Sequence, residues 1–318
     1  MGVMFHFLNV GPGDCTIVHF PARTRTKDGS SISERIMVVD ICHDEMQPWY
    51  TDVITYYKQH FSRDNGSVKP IFRLVCTHPH QDHICGLAEI FENSRIGILN
   101  FWDIEHEFEP EELNKHPTHE ADWQSYVEKR QSKSGPKVIH TKREDAPAQF
   151  WNDDEDRLTV LSPSDALIRY AHYTQDGKRR KRHEIEIDEM SYAFMIRINS
   201  RKVILPGDGR ATPFWQDIYD NFKAAIRGCA VLKAGHHGHE AAFHEDAVKL
   251  MYPSLIIFSN SSEEDEEHGA ESLYAKAAPN ALILKTSDSG TIRVKVPYNA
   301  EENITYWTEV ECASKRPA

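Results

Sequence analysis

Two spacings of apolar residues alternate along the chain, and together they predict most of its elements. The opening reads as paired strands, VMFHFLNV and CTIVHFP, joined by a turn at GPGD. A polar loop from Arg23 to Glu34 leads to a third apolar run, IMVVDIC. Helical spacing covers Trp49 to Phe61, then FRLVCTH reads as a short buried strand and ICGLAEIFEN as a helix just after it. Residues 101–150 change character, becoming charged and aromatic, and predict a helical insertion.

Strand signals return with RLTVLSP at Arg157 and again with YAFMIRI, a turn at NSRK, and VILPGDG. Between them a loop at 174–187 carries the basic run KRRKRH. Helices are expected over Pro213 to Arg227, Phe243 to Tyr252 and Glu271 to Ala278, separated by the strands CAVLKAGHHG and SLIIFSN. The acidic loop SSEEDEEHG precedes the last of those helices, and ALILKTSD, GTIRVKV and a final strand after Glu301 close the chain. Strand-rich and helix-bearing stretches thus occur twice, which fits two β-sheets packed face to face with helices outside. One domain over 1–318, carrying the 101–150 insertion, is the simplest expectation.

Composition narrows this only a little. A chain of 318 residues with 40% hydrophobic and 27% charged residues buries a sizeable core and is ordinary for a soluble globular protein. No run of roughly 18 apolar residues suits a membrane span. The start, MGVMFHFLNVGPGD, lacks the basic and long apolar segments of a signal peptide, so the expected location is cytoplasmic. The net charge of −12 argues against a broad, non-specific grip on a phosphate backbone, although bound divalent cations reverse the sign locally. Six cysteines without CxxC spacing suggest buried, reduced thiols rather than a zinc ribbon or a disulfide framework.

The chemistry is concentrated in THPHQDH, Thr77 to His83. His78 and His80 are two apart at the end of an extended segment, so both rings can face the same way. Neutral imidazole is a standard zinc ligand, and Asp82 and His83 follow at once. Asp208, between glycines after VILP, suits a bridging carboxylate, and His236 and His237 in AGHHG end the next strand. His106, His116 and His119 lie in the polar segment and read as surface histidines.

In these residues the chain resembles the metallo-β-lactamase superfamily, whose signature is HxHxDH. It is most similar to the metallohydrolase domain of the DNA-uptake competence channel protein. LNVGPGDCTIV, THPHQDHICGL, LTVLSP, VILPGDG, VLKAGHHG and SLIIFSN, followed by His268-Gly269, carry the likeness in order. The resemblance implies a metallo-β-lactamase fold, an αββα sandwich of two mixed sheets with helices outside. It also implies two divalent metal ions, zinc or manganese. His78 and His80 would hold the first, Asp82, His83 and His236 the second, with Asp208 bridging. A hydroxide between the metals would attack the substrate, with Asp82, His237 and His268 assisting catalysis. The histidine that many relatives supply between the HxHxDH and GD motifs is missing from DEMSYAFMIRI, and His183 is a candidate substitute. Lys233, Arg179 and Arg180 are the expected contacts to an anionic substrate, whereas Asp14 reads as structural. The implied activity is that of a phosphodiesterase or nuclease acting on nucleic acid or a nucleotide. Hydrolysis of carboxylic esters, thioesters, lactams or lactones by the same site is the alternative, and a non-catalytic binding or signalling module is a third reading.

Overall fold

The computed structural model describes residues 1–43, 49–106, 120–143, 153, 155–181, 184–261 and 269–309. The chain divides into two units, each with its own sheet and its own core.

The first unit holds Met1–Asp103, His116–Ile139 and Asp288–Ala318. Its strands are β1 (Gly2–Phe7), β2 (Thr16–Phe20), the small hairpin β3 (Arg23–Thr24) and β4 (Ser31–Ile32), and then β5 (Arg35–Val39), β6 (Arg73–Val75), β7 (Asn100–Asp103) and β8 (Lys137–His140). β15 (Ile292–Pro297) and β16 (Thr305–Thr308) complete the sheet, whose order is β16-β15-β1-β2-β5-β6-β7-β8. β1 therefore lies between β2 and β15, antiparallel to both. β5, β6 and β7 pair in parallel, with Val39 opposite Val75. Parallel neighbours need a crossover, and helix α1 (Val53–His60) supplies one, started by Asp52, whose carboxylate accepts from the Thr55 amide at 2.8 Å. Ile36, Val38, Leu74 and Phe101 pack against Val53, Tyr57, Phe61, Ile84 and Tyr126 in one buried cluster.

The short helix α2 (Gln81–Ile84) begins inside the THPHQDH motif rather than after it. Helix α3 (Glu120–Arg130) is the described helix of the expected insertion. That insertion is not purely helical, because its ends form β7 and β8 on the sheet edge. Tyr126 Oη and Arg130 Nε both donate to the buried Asp103 carboxylate, at 2.7 and 2.8 Å, tying α3 to β7. His116 and His119 lie outside the described residues.

The second unit holds Ile104–Lys115 and His140–Ser287. Its sheet runs β14-β13-β12-β11-β10-β9, built from β9 (Asp156–Ser162), β10 (Ala193–Ile198), β11 (Arg201–Pro206), β12 (Val231–Lys233), β13 (Leu255–Phe258) and β14 (Leu282–Lys285). β9, β10 and β11 are antiparallel, and β11 to β14 are parallel. Asn199, at φ 49°, makes the tight turn between β10 and β11. β12 and β13 are buried at every position, as strands inside a parallel sheet are. Helices α4 (Asp165–His172), α5 (Gln216–Ile226), α6 (Glu245–Met251) and α7 (Glu271–Ala277) flank the sheet. Phe214, Ile218, Val248, Met251 and Tyr274 pack with Ile204, Leu232 and Ile256. No helix among the described residues is long and apolar enough to cross a membrane.

Candidate metal centre

In both units the metal-grade side chains follow the carboxyl ends of parallel strands, where an α/β sheet leaves a crevice for ligands. In the first unit β5 runs into Asp40 and β6 into Thr77, His78 and His80. Asp40 is buried, at φ 58°, and is held from three directions. Thr77 N donates to Oδ1 at 2.7 Å, while Thr77 Oγ1 and His83 Nδ1 donate to Oδ2 at 2.7 and 2.8 Å. Burial pushes the Asp40 carboxyl above the ordinary aspartate range and the nearby His83 pulls it down. The three converging donors favour the ionised form.

This network sets the histidine tautomers. With its Nδ1 hydrogen on Asp40, neutral His83 carries a lone pair on Nε2, which faces Asp82 Oδ2 at 3.4 Å. Thr77 Oγ1, having donated to Asp40, accepts from His78 Nδ1 at 3.2 Å, leaving His78 Nε2 as the acceptor. That nitrogen lies 3.1 Å from His80 Nδ1. Ring nitrogens gathered with a carboxylate, each ring anchored through its other nitrogen, form the pattern of a metal-ligating histidine and its supporting shell. Asp14, buried in the GPGD turn, has a carboxylate oxygen within 4.8 Å of a His83 ring nitrogen.

The second unit repeats the pattern. Asp208 is buried just beyond β11, and its flanking glycines are obligatory. A Cβ on Gly207 would stand 2.6 Å from the Ser191 side chain, and one on Gly209 would stand 2.0 Å from the Phe214 ring. His237 Nδ1 meets the Ser259 carbonyl at 3.1 Å, so Nε2 carries the lone pair toward Asp208 Oδ2, 3.3 Å away. His236 Nε2 is 3.9 Å from the same oxygen, its side chain is 30% exposed, and its Nδ1 has no hydrogen-bond partner among the described residues. Within this unit the geometry favours His237 over His236 as the partner of Asp208, the reverse of the sequence expectation. Both residues adopt positive φ, 49° and 56°, a conformation that costs a non-glycine residue and tends to persist at functional sites.

The remaining expected residues are placed as follows. Lys233 is 3% exposed at the end of β12, with Nζ 3.5 Å from the Ala234 carbonyl, so it does not face solvent. Arg180 is committed to its own loop: Nε donates to Tyr170 O at 2.9 Å, Nη1 to Glu184 O at 3.2 Å, and the guanidinium stacks over the Tyr170 ring. Arg179 pairs with Tyr173 in an isolated β-bridge and is exposed, as is Lys178. His106 lines a cavity of about 300 Å³ with Lys142, Arg169, His172 and Tyr173. His183 and His268 lie outside the described residues. Asp40, Thr77 and Ser259, which the sequence did not single out, orient the histidines, and Asp14 joins the ligand candidates.

The donor set suits divalent cations. It combines imidazole nitrogens with carboxylate oxygens, the mixture that zinc and manganese accept. Among the described residues no thiol joins these groups. Cys76 is buried, and burial drives its thiol well above the usual range, while Cys85 Sγ donates to His43 O at 3.6 Å.

Two mixed sheets with flanking helices form an α/β scaffold, each sheet carrying anchored histidines and carboxylates at its strand ends. The sequence model of the Metallo-beta-lactamase superfamily matches residues 56–163, which include the whole HxHxDH motif. Among solved structures, the metallo hydrolase Igni18 from the hyperthermophilic archaeon Ignicoccus hospitalis is 15% identical, with a TM-score of 0.51, covering 92% of this chain and 100% of that chain. A mutant of the CmlA β-hydroxylase is 11% identical, with a TM-score of 0.50, covering 92% of this chain and 54% of that one. No curated protein matches the sequence. The fold is the metallo-β-lactamase fold.

Proposed function

We propose that the protein is a metal-dependent hydrolase of phosphodiester bonds, a nuclease or a smaller phosphodiesterase. The observation that carries the metal dependence is the matched geometry of His83 and His237. Each ring is anchored through Nδ1 and turns its Nε2 lone pair toward a carboxylate, which invites a cation between them. On the HxHxDH resemblance, His78, His80, Asp82 and His83 would be the metal ligands of the first unit and Asp208 that of the second, with His237 in place of the expected His236 beside it; the metals would be zinc or manganese. When bound, such metals lower the pKa of water toward neutrality and stabilise the oxygens of an in-line displacement.

The chain's own residues supply the rest. Asp40 and Thr77 hold the rings of His78 and His83 in place, and Asp82 and Asp208 each bring negative charge beside a histidine. His236, partly exposed and close to Asp208, is the side chain available to contact substrate or pass a proton. Lys178 and Arg179, exposed on the basic loop of an otherwise acidic chain, favour a polyanionic substrate over a neutral ester.

The test is hydrolysis of bis-p-nitrophenyl phosphate and of DNA by purified protein supplied with manganese or zinc, with and without chelator. Metal-dependent turnover that chelator stops is the expected result. Turnover of p-nitrophenyl acetate or lactones alone would move the reaction to carboxylic esters.

A further inference from the structure

We propose that Asp14 is a metal ligand, its carboxylate binding the same divalent cation as His83 Nε2. This rests on the metal-binding reading above and adds to the ligand set a residue that the HxHxDH pattern does not contain.

The argument begins with the backbone of the GPGD turn. Gly11 sits at φ 79°, and a Cβ on Gly13 would lie 2.5 Å from the Cys42 side chain and 2.6 Å from Asp82 O. The turn therefore presses on the first residues of α2 as only glycine allows. Asp14 N donates to that same Asp82 carbonyl at 3.1 Å, which fixes Asp14 beside the peptide that leads to His83. Backbone bonds also close the turn, Leu8 N to Cys15 O at 3.1 Å among them.

The carboxylate itself is buried, with the residue 3% exposed, and a bound cation would offset the cost of burying its charge. One of its oxygens lies within 4.8 Å of a His83 ring nitrogen. His83 Nδ1 is committed to Asp40, so Nε2 is the nitrogen left to bind. A divalent cation held about 2 Å from each donor draws the two together by a small side-chain rotation. Asp14 brings a third carboxylate to the neighbourhood of His83, after Asp40 on the far nitrogen and Asp82 on the near one. An added anionic ligand is useful in a chain whose sequence lacks the histidine that many relatives place between the HxHxDH and GD motifs.

The test measures metal affinity rather than turnover. Metal-free wild type and the Asp14→Asn variant are titrated with cobalt and zinc, following the visible absorption of cobalt and the heat of zinc binding. Thermal melting of both metal-free proteins is recorded alongside. Asn is isosteric and keeps an acceptor, so the metal-free melting temperature should hold. The affinity of one site should fall at least 10-fold, since losing even a residue that only orients a ligand typically costs 10–100-fold. Equal affinities in the two proteins would overturn the role of Asp14 and leave the proposed function standing. A wild type that binds neither metal would overturn both. Should Asp14→Asn not fold, Asp14→Glu keeps the charge on a longer arm: a changed cobalt spectrum supports ligation, and an identical spectrum overturns it.

Discussion

His237 Nε2 lies 3.3 Å from Asp208 Oδ2, while the opposite nitrogen of the same ring faces the Ser259 carbonyl at 3.1 Å. With Nδ1 donating to that carbonyl, a neutral ring has only a lone pair to offer the carboxylate. The contact is favourable when a proton or a cation lies between the two groups. A cation bound there would relieve a repulsion that folding builds in.

Asp208→Ala should lower kcat/KM on bis-p-nitrophenyl phosphate at least about 100-fold, more than removing an orienting residue typically costs. Its metal-free melting temperature should stay close to wild type, because the substitution also removes a buried anion. Full activity in the variant would remove Asp208 from the ligand set.

Thr77 should matter although it touches no substrate. Thr77→Val breaks the path from Asp40 to His78 and leaves both histidines less firmly oriented. Metal affinity should fall by about 10–100-fold, and Thr77→Ser, which restores the hydroxyl, should recover it. A valine variant that binds metal like wild type would show that the tautomers are set by other contacts.

The basic loop separates into two kinds of arginine. Reversing charge at Lys178 and Arg179 should raise KM for DNA and leave KM for a small phosphodiester unchanged, since both side chains are exposed. Arg180→Ala should instead lower the melting temperature, because it releases two backbone carbonyls and a stacked ring. Equal effects of the charge reversal on large and small substrates would reject the phosphate role.

His6 gives the stability a pH dependence independent of the metal ligands. Burial, helped by the charges of His60, His19 and Arg293, lowers its pKa from 6.5 to about 3. Its neutral ring meets Tyr56 Oη at 2.8 Å. Because the folded pKa lies below the unfolded one, the unfolded chain takes up the proton first as pH falls. This contribution is complete above pH 6.5 and fades as pH drops toward 3, worth roughly 5 kcal/mol over the whole range. Urea unfolding between pH 7 and 5 should show His6→Gln with a shallower loss of stability than wild type. Parallel curves would place the acid sensitivity in other residues.

Much of this was readable from residue order, and the exceptions have physical causes. IMVVDIC, RLTVLSP, YAFMIRI and SLIIFSN became β5, β9, β10 and β13 because buried strands leave continuous apolar runs. The same rule hid Lys233: β12 lies between two parallel neighbours, so even its lysine is buried and no alternation marks a solvent face. Asp40 reads as a strand end until the parallel register sets Val39 opposite Val75 and brings residue 40 beside residue 77. Which of His236 and His237 approaches Asp208 depends on two successive left-handed residues, a backbone choice without a side-chain signal. KVIH gave no strand signal because β8 is a four-residue edge strand, exposed at both of its ends.

The place of β1, flanked by β2 and by β15, constrains how the chain is made. β2 is available almost at once, but β15 leaves the ribosome only after some 270 further residues, counting from the end of β2 at Phe20 to the start of β15 at Ile292. Throughout that interval the nascent chain carries an open, largely apolar strand edge that can pair with a neighbouring copy. Slowed elongation or early termination should therefore promote aggregation through β1.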